Sequence, residues 1–129
     1  MSRLNVSSGG PFEDVVGYSR AVRVGNSVFV AGTTSAEPDG TISGGNDAYL
    51  QAKRCFEIIE QALQQAGASM RHVVRTRMFV TDISRWEEFG KAHGEFFRSV
   101  KPAATMVQVS ALIAPEILIE IEVDAVIDD

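Results

Sequence analysis

The stretch Ile117-Leu-Ile-Glu-Ile-Glu-Val-Asp-Ala-Val-Ile127 decides the fold, because apolar and acidic residues alternate along it. A period of two predicts a β-strand with one apolar face and one polar face. The apolar face carries Ile119, Ile121, Val123 and Ala125, and the polar face carries Glu120, Glu122 and Asp124. For each carboxylate a solvated strand face is the ordinary interpretation. A general acid/base or water-positioning role stays open as the alternative.

Outward from this strand, the patterns predict the element order ββαβαββ. The predicted strands span 20–24, 27–32, 73–81, 105–110 and 117–127, and residues 1–13 and 33–46 are predicted to be irregular. Gly25-Asn26 is typical of a tight hairpin turn. One helix is predicted over 47–66, capped by Asn46 or Asp47 and followed by Gly67. The second helix is predicted to start at the capping box of Ser84 and Glu87 and to stop before Pro102.

Both predicted helices carry an apolar stripe. The stripes consist of Ala52, Cys55, Phe56, Ile59, Leu63 and Ala66 in the first helix, and of Trp86, Phe89, His93, Phe96, Phe97 and Val100 in the second. This spacing favours a buried face. Cys55 is then a small core residue and His93 a satisfied core or interface histidine, whereas His72 is predicted to face solvent from a turn.

The element order predicts the α/β (α+β) class, as one domain over residues 1–129. Right-handed crossovers place both helices on one face of a single mixed sheet. Strand 27–32 is nevertheless apolar on both sides, with Val28 and Val30 on one face and Phe29 and Ala31 on the other. Two helices cover one face only, so we expect a homo-oligomer packed through its sheets.

Composition narrows the classes of function. The net charge is −5, and the basic residues are scattered, which argues against nucleic acid as the main partner. No apolar run reaches the roughly 18 residues that span a bilayer, and the N-terminus lacks the apolar core of a secretory signal. With the single Cys55, these features predict a cytoplasmic protein that binds no membrane. No metal-binding or phosphate-binding motif is present, so we expect neither a metal site nor a cofactor.

Several segments together resemble the reactive-intermediate deaminase (Rid, or YjgF-like) family, relatives of which are also described as L-PSP endoribonucleases. The matching segments run in the family's order over nearly the whole chain: Gly17-Tyr-Ser19, Val28-Phe-Val-Ala-Gly32, Val74-Arg-Thr-Arg-Met-Phe-Val-Thr-Asp82, Glu95-Phe-Phe97, Lys101-Pro-Ala103 and Ile119-Glu-Ile-Glu122. The resemblance implies a chorismate-mutase-like fold and a homotrimer around a central barrel of sheets. It also implies small-molecule clefts between subunits, in which archetypal members hydrolyse enamines and imines such as 2-aminoacrylate without a cofactor.

The resemblance also implies site residues. Glu120 corresponds to the residue that holds the attacking water, and the cleft positions correspond to Tyr18, Ala31, Gly32, Gly90, Ala104, Thr105 and Met106. The family pattern is broken at Ala104, where archetypal members carry an arginine that clamps the substrate carboxylate. Ala31, Gly90 and Met106 likewise replace a serine, an asparagine and a cysteine.

The missing arginine bears on the substrate. A lost charge-assisted contact is worth roughly 1.5–3 kcal/mol, or about one to two powers of ten in affinity. This predicts a neutral or less acidic substrate, unless Arg20 or Arg77 takes over the role. Hydrolysis of an imine or enamine is the first hypothesis, and a non-catalytic metabolite-binding or regulatory trimer is the second. Endoribonuclease or translation-inhibitor activity, which is described for relatives, is the third, and the acidic charge opposes cleavage of RNA.

Overall fold

One mixed sheet organises the chain, which the computed structural model describes from residue 2 to residue 128. The strands are β1 (Arg3–Val6), β2 (Ala21–Val24), β3 (Ser27–Thr33), β4 (Val73–Val80), β5 (Ala103–Gln108) and β6 (Ile119–Val126), in the sheet order β1-β2-β3-β6-β4-β5. Only the β4–β5 pair is parallel. The two helices are α1 (Ala48–Gln65) and α2 (Trp86–Phe97). The predicted α+β sheet with two helices is therefore confirmed.

The helices cover one face of the sheet, which we call the helix face. The alternating residues of β6 that point to this face are at most 1% exposed. They pack with Phe56 and Leu63 of α1 and with Phe89 and Phe97 of α2 in one apolar core. Cys55 lies in this core as expected, and burial raises the pKa of its thiol.

The first helix begins and ends as predicted. The Asp47 carboxylate accepts a hydrogen bond from the backbone N–H of Leu50 at 2.9 Å and so caps α1. Gly67 follows the helix with a φ of 85°, a left-handed conformation that favours glycine. Gly25 adopts a φ of 60° in the predicted turn between β2 and β3.

The start of the second helix was predicted wrongly. Asp82, not Ser84, supplies the cap, since its carboxylate accepts hydrogen bonds from the backbone N–H and hydroxyl of Ser84. This contact closes a 3₁₀ turn over Ile83–Arg85, and α2 starts only at Trp86 without a side-chain cap. Trp86 is 56% exposed, so it does not belong to the buried stripe.

Two other expectations were wrong. Residues 3–6 form a strand instead of an irregular lead-in, because β1 pairs antiparallel with β2 along its whole length. His72 is buried, not solvent-facing. It ends a 3₁₀ turn, in which its Nδ1 accepts a hydrogen bond from the backbone N–H of Ser69 at 3.0 Å.

His93 is a satisfied core histidine, as expected. Its Nε2 lies 2.9 Å from the hydroxyl of Thr76, and its ring packs against those of Phe56 and Phe97. Burial lowers the pKa of His93. Neither helix in residues 2–128 has the length and apolar character needed to cross a membrane.

Candidate functional site

A β-bulge shapes the end of β3. The flanking pairs are Val30 with Val123 and Thr33 with Ile121. Ala31 and Gly32 therefore lie together opposite Glu122, and the Thr33 hydroxyl donates a hydrogen bond to the carbonyl of Ala31 at 2.8 Å. Bulges bend a strand and redirect its neighbours. Here the bulge lies beside the first acidic residue of β6.

The carboxylate of Glu120 lies directly against Gly32. A Cβ atom at position 32 would overlap Oε2 of Glu120 and would lie 3.1 Å from its Cδ. A side chain at position 32 would have to displace this carboxylate. The structure thus brings together two residues that the family resemblance had assigned to the cleft.

The environment of Glu120 alters its protonation. Its side chain is half-buried and points away from the helix face. Burial raises the pKa of Glu120, the positive charge of Arg20 partly opposes this effect, and the negative charge of Glu122 adds to it. A carboxylate with a raised pKa takes up and releases a proton more readily near neutral pH.

Arg20 holds the other side of Gly32. Its Nη2 donates to the carbonyl oxygen of Gly32 at 2.5 Å, and its Cζ lies 6.0 Å from the centre of the Tyr18 ring. Tyr18 itself is 39% exposed. Burial lowers the pKa of Arg20. Tyr18, Arg20, Gly32 and Glu120 form what we call the Gly32 cluster.

Arg77 is engaged elsewhere on the same face. Its Nη1 lies 3.3 Å from a carboxylate oxygen of Glu122 and 3.1 Å from one of Asp124. These carboxylates were predicted to be solvated, but both are half-buried and share one guanidinium across the β4–β6 pair. Strand alternation could not reveal this contact, because it depends on which residue of β4 lies opposite Glu122.

The site residues predicted on β5 lie apart from the Gly32 cluster within one chain. Ala104 and Thr105 are exposed, whereas Met106 is partly buried against the core. Strand β4 separates β5 from β6, so Ala104 is not beside Glu120. A single copy therefore brings together only part of the predicted site.

Gly90 also lies apart from the cluster. It is on α2, which covers the helix face, whereas Glu120 projects from the opposite face. A Cβ atom at Gly90 would meet only Cε3 of Trp86, at 4.0 Å. A side chain at position 90, such as the asparagine of the archetype, would therefore start next to the exposed indole of Trp86.

A groove of about 690 Å³ runs beside the Gly32 cluster on the face that the helices leave uncovered. Tyr18 and Ala31 line it together with Phe29, Glu122 and Asp124, whereas Glu120 does not. We call this uncovered side the open face. Two of the predicted cleft residues therefore border a groove that is large enough for a small molecule.

Glu13 and Gln51 are buried polar residues that the sequence patterns did not single out. The carboxylate of Glu13 accepts hydrogen bonds from the hydroxyls of Ser7 and Ser8 and from the backbone N–H of Ser8. Burial opposes the ionised form, but these hydrogen bonds outweigh it and lower the pKa of Glu13. Gln51 binds the carbonyls of Gly45 and Glu116.

Gln51 could have been found from its spacing. It precedes Cys55 and Ile59 at intervals of four residues, so it belongs to the buried stripe of α1. Its Oε1 also accepts the backbone N–H of Leu118 at 2.9 Å. The amide thereby holds the loop that leads to Glu120.

The chain is an α+β protein in which two helices cover one face of a mixed sheet and acidic residues alternate along the last strand. The model of the family described as Endoribonuclease L-PSP matches residues 11–127. The chain belongs to this family, which is also known as YjgF/Rid.

Individual relatives agree with this assignment. The RutC family protein PYRAB12510 of Pyrococcus abyssi is 39% identical over 106 residues, which cover 81% of this chain and 82% of that protein. An uncharacterized protein of Streptomyces coelicolor, SCO2049, is 37% identical over 93% of this chain and 89% of its own length. Among solved structures, Rv2704 of Mycobacterium tuberculosis, from the YjgF/YER057c/UK114 family, is 52% identical with a TM-score of 0.90, over 98% of this chain and 100% of that one.

Proposed function

We propose that this protein hydrolyses a reactive imine or enamine, with Glu120 as the general base that activates water. The observation that carries the proposal is the half-buried Glu120 carboxylate held against Gly32, with burial raising its pKa. A base in this position can accept a proton from water as the oxygen attacks the C=N carbon. The same proton can then pass to the nitrogen to give a carbinolamine. When the carboxylate next moves the hydroxyl proton of this intermediate to the amino group, the C–N bond breaks and the C=O bond forms, so that the imine and water yield a carbonyl compound and ammonia.

The proposed substrate is neutral or less acidic than 2-aminoacrylate. Ala104 offers no cation to a carboxylate. Arg77 already contacts Glu122 and Asp124, and Arg20 donates to the Gly32 carbonyl. With both candidate replacements engaged, a carboxylate in the site would face acidic side chains without a dedicated partner.

We further propose that a second copy of the chain completes the cleft within a homotrimer. The open face exposes apolar side chains that water disfavours, among them Phe29 at 50% exposure and Val107 at 42%. Within residues 2–128 strand β5 pairs with β4 alone, so its outer edge is available to a neighbouring chain. Sedimentation should give a mass near three times 14.0 kDa, and a stable monomer would contradict this arrangement.

The catalytic proposal is tested by measuring ammonia release from a neutral ketimine and from its α-carboxylated counterpart, each above the spontaneous rate. Glu120→Gln should lower kcat by about 10²-fold or more, because it removes a general base. Glu60→Gln is the control, because Glu60 is a half-buried carboxylate on α1 that does not line the groove, and this variant should retain the rate. Full activity of Glu120→Gln would contradict the proposal.

Binding without turnover would favour the alternative of a metabolite-binding trimer. In that case a ligand would raise the melting temperature by preferential binding to the folded state, and no product would form with any imine. The specific observation behind this alternative is Ala104, since loss of the clamping cation also fits a cleft that has lost its reaction.

The substrate class is tested by Ala104→Arg. Restoring the cation should raise kcat/KM for the carboxylated imine by about ten- to a hundredfold and leave the neutral imine nearly unchanged. Ala103→Arg places the same charge one residue away and serves as the control. An equal gain in both variants would indicate general electrostatic attraction, not a restored clamp.

A further inference from the structure

Arg20 has an unusual position for an arginine. It is half-buried at the start of β2, where its backbone N–H donates to the carbonyl of Val6 and its carbonyl accepts the N–H of Ala31. Its backbone is therefore fixed between β1 and the bulge of β3. The side chain returns to the same bulge, where Nη2 donates to the carbonyl of Gly32 at 2.5 Å.

One donor of this guanidinium has no partner. The Nε atom of Arg20 is buried without a hydrogen bond, and no other buried side-chain nitrogen or oxygen in residues 2–128 shares this state. A buried donor without a partner costs about 1–3 kcal/mol. We therefore expect Arg20 to have a structural or functional role that offsets this loss of stability.

The surroundings of Arg20 indicate what the role is. Four titratable groups interact with its charge: Glu120 on β6, Tyr18 and Glu13 in the segment before β2, and Cys55 on α1. Among these groups, the Glu120 carboxylate lies against Gly32, whose carbonyl Arg20 holds. The negative charge of Glu122, on the same strand, also acts on Glu120 and raises its pKa.

We infer that Arg20 is a positioning residue for Glu120, because it fixes the Gly32 peptide against which the carboxylate packs. Its positive charge also favours the ionised form of Glu120, which can act as a base. This inference rests on the proposed function and deepens it. The guanidinium acts on the protein's own carboxylate and carbonyl, so it is not the substrate clamp that position 104 lacks. It also counteracts burial and the charge of Glu122, both of which favour the protonated acid.

The test uses Arg20→Gln and Arg20→Lys, with Arg23→Gln as the control. Arg23 lies on the same strand and also donates to backbone carbonyls, those of Gly25 and Ala66, but Glu120 is not among its contacts. Carboxyl-detected NMR of the full chain follows the titration of Glu120, assigned with Glu120→Gln. In Arg20→Gln the Glu120 midpoint should move to higher pH, in Arg20→Lys it should move less, and in Arg23→Gln it should stay in place.

Kinetics on the neutral imine supply the second readout. In Arg20→Gln the acid limb of kcat/KM should move to higher pH together with the Glu120 midpoint. We expect kcat to fall by about ten- to a hundredfold while KM stays within about threefold. If Arg20→Gln does not fold, the smaller shift of the Glu120 midpoint in Arg20→Lys tests the inference instead.

Two results would overturn the inference. An unchanged Glu120 midpoint in both Arg20 variants would show that Arg20 does not act on the carboxylate. A tenfold rise in KM confined to carboxylated imines, with an unchanged pH profile, would make Arg20 a substrate clamp. The NMR titration needs no substrate, so it can support or refute the role of Arg20 even if no imine is hydrolysed.

Discussion

The two faces of β6 show opposite chemistry on one strand. On the helix face, Ile121 and its same-face neighbours are almost completely excluded from solvent. On the open face, Glu120, Glu122 and Asp124 are half-buried beside exposed apolar side chains such as Phe29. The helix face is completed by α1 and α2 of the same chain. The open face is left with a groove and unburied apolar area.

This difference separates stability from function along one sequence stretch. On the helix face each side chain contributes through apolar contacts, and its loss leaves a cavity. On the open face the carboxylates contribute little to stability, and burial of Glu120 without a strong ion pair opposes its ionised form. We therefore expect substitutions on the two faces to affect different measurements.

The largest effect on stability is expected from Ile121→Ala. This side chain is fully buried, and such a truncation costs about 2–5 kcal/mol of unfolding free energy. Glu122→Ala, the next residue on the same strand, should cost less than about 1 kcal/mol. Guanidinium unfolding at one fixed protomer concentration provides the measurement. Equal costs at the two positions would remove the distinction between the faces.

A smaller effect is expected from Gly32→Ala, which places a methyl group in the space of the Glu120 carboxylate. We expect a loss of about 1–3 kcal/mol, typical of an overpacked site. The loss should largely disappear when Glu120→Ala is combined with it, because the clashing atoms are gone.

Gly10→Ala is the matched control for this cycle. A Cβ atom at position 10 would lie 3.5 Å from Oε2 of Glu13, which is ordinary contact distance. Gly10→Ala should therefore cost much less than Gly32→Ala. A Gly32→Ala loss that persists without the Glu120 side chain would show that the backbone, not the carboxylate, requires glycine.

These two substitutions also show how far sequence reasoning extended. Alternation over residues 117–127 predicted the two faces of β6, since a period of two depends on the strand alone. The contact of Glu120 with Gly32 was not predicted by alternation, because it requires a bulge that shifts β3 by one residue. Family resemblance assigned both residues to the cleft without giving this geometry.

Two other wrong predictions have their own physical causes. Strand β1 is only four residues long, so the alternation of Leu4 and Val6 with polar residues is too brief to predict a strand, and pairing with β2 defines it. The burial of His72 depends on a local turn begun by Ser69. Short-range patterns predicted the helices and long strands, whereas contacts between distant segments determined the candidate site.

The helix face contains one group that should make it sensitive to pH. Burial lowers the pKa of His93, so the folded state disfavours the protonated ring relative to an unfolded histidine near pH 6.5. Stability from this source is fully present above about pH 6.5 and is lost as the pH falls below it, because the unfolded chain binds the proton first.

His93→Gln keeps a polar partner for Thr76 without a titrating ring. In melting curves between about pH 5 and 7, the variant should show a flatter dependence of stability on pH than the parent. If stability depends on pH with the same slope in both proteins, other groups cause the acid sensitivity, and the titration of His93 does not contribute to it.

The smallest effect is expected on the open face, from Arg77→Gln. The side chains of Arg77, Glu122 and Asp124 are 38%, 37% and 28% exposed, so solvent screens their attraction. Their loss should cost less than about 1 kcal/mol of unfolding free energy, and the cost should shrink further in high salt. The comparison variant is Arg54→Gln. It removes the guanidinium of Arg54, which makes two hydrogen bonds with Glu37, at 2.8 and 3.1 Å. A cost of several kcal/mol for Arg77→Gln, unaffected by salt, would contradict this prediction and would mean that a partner copy buries the charged cluster along with the apolar side chains around it.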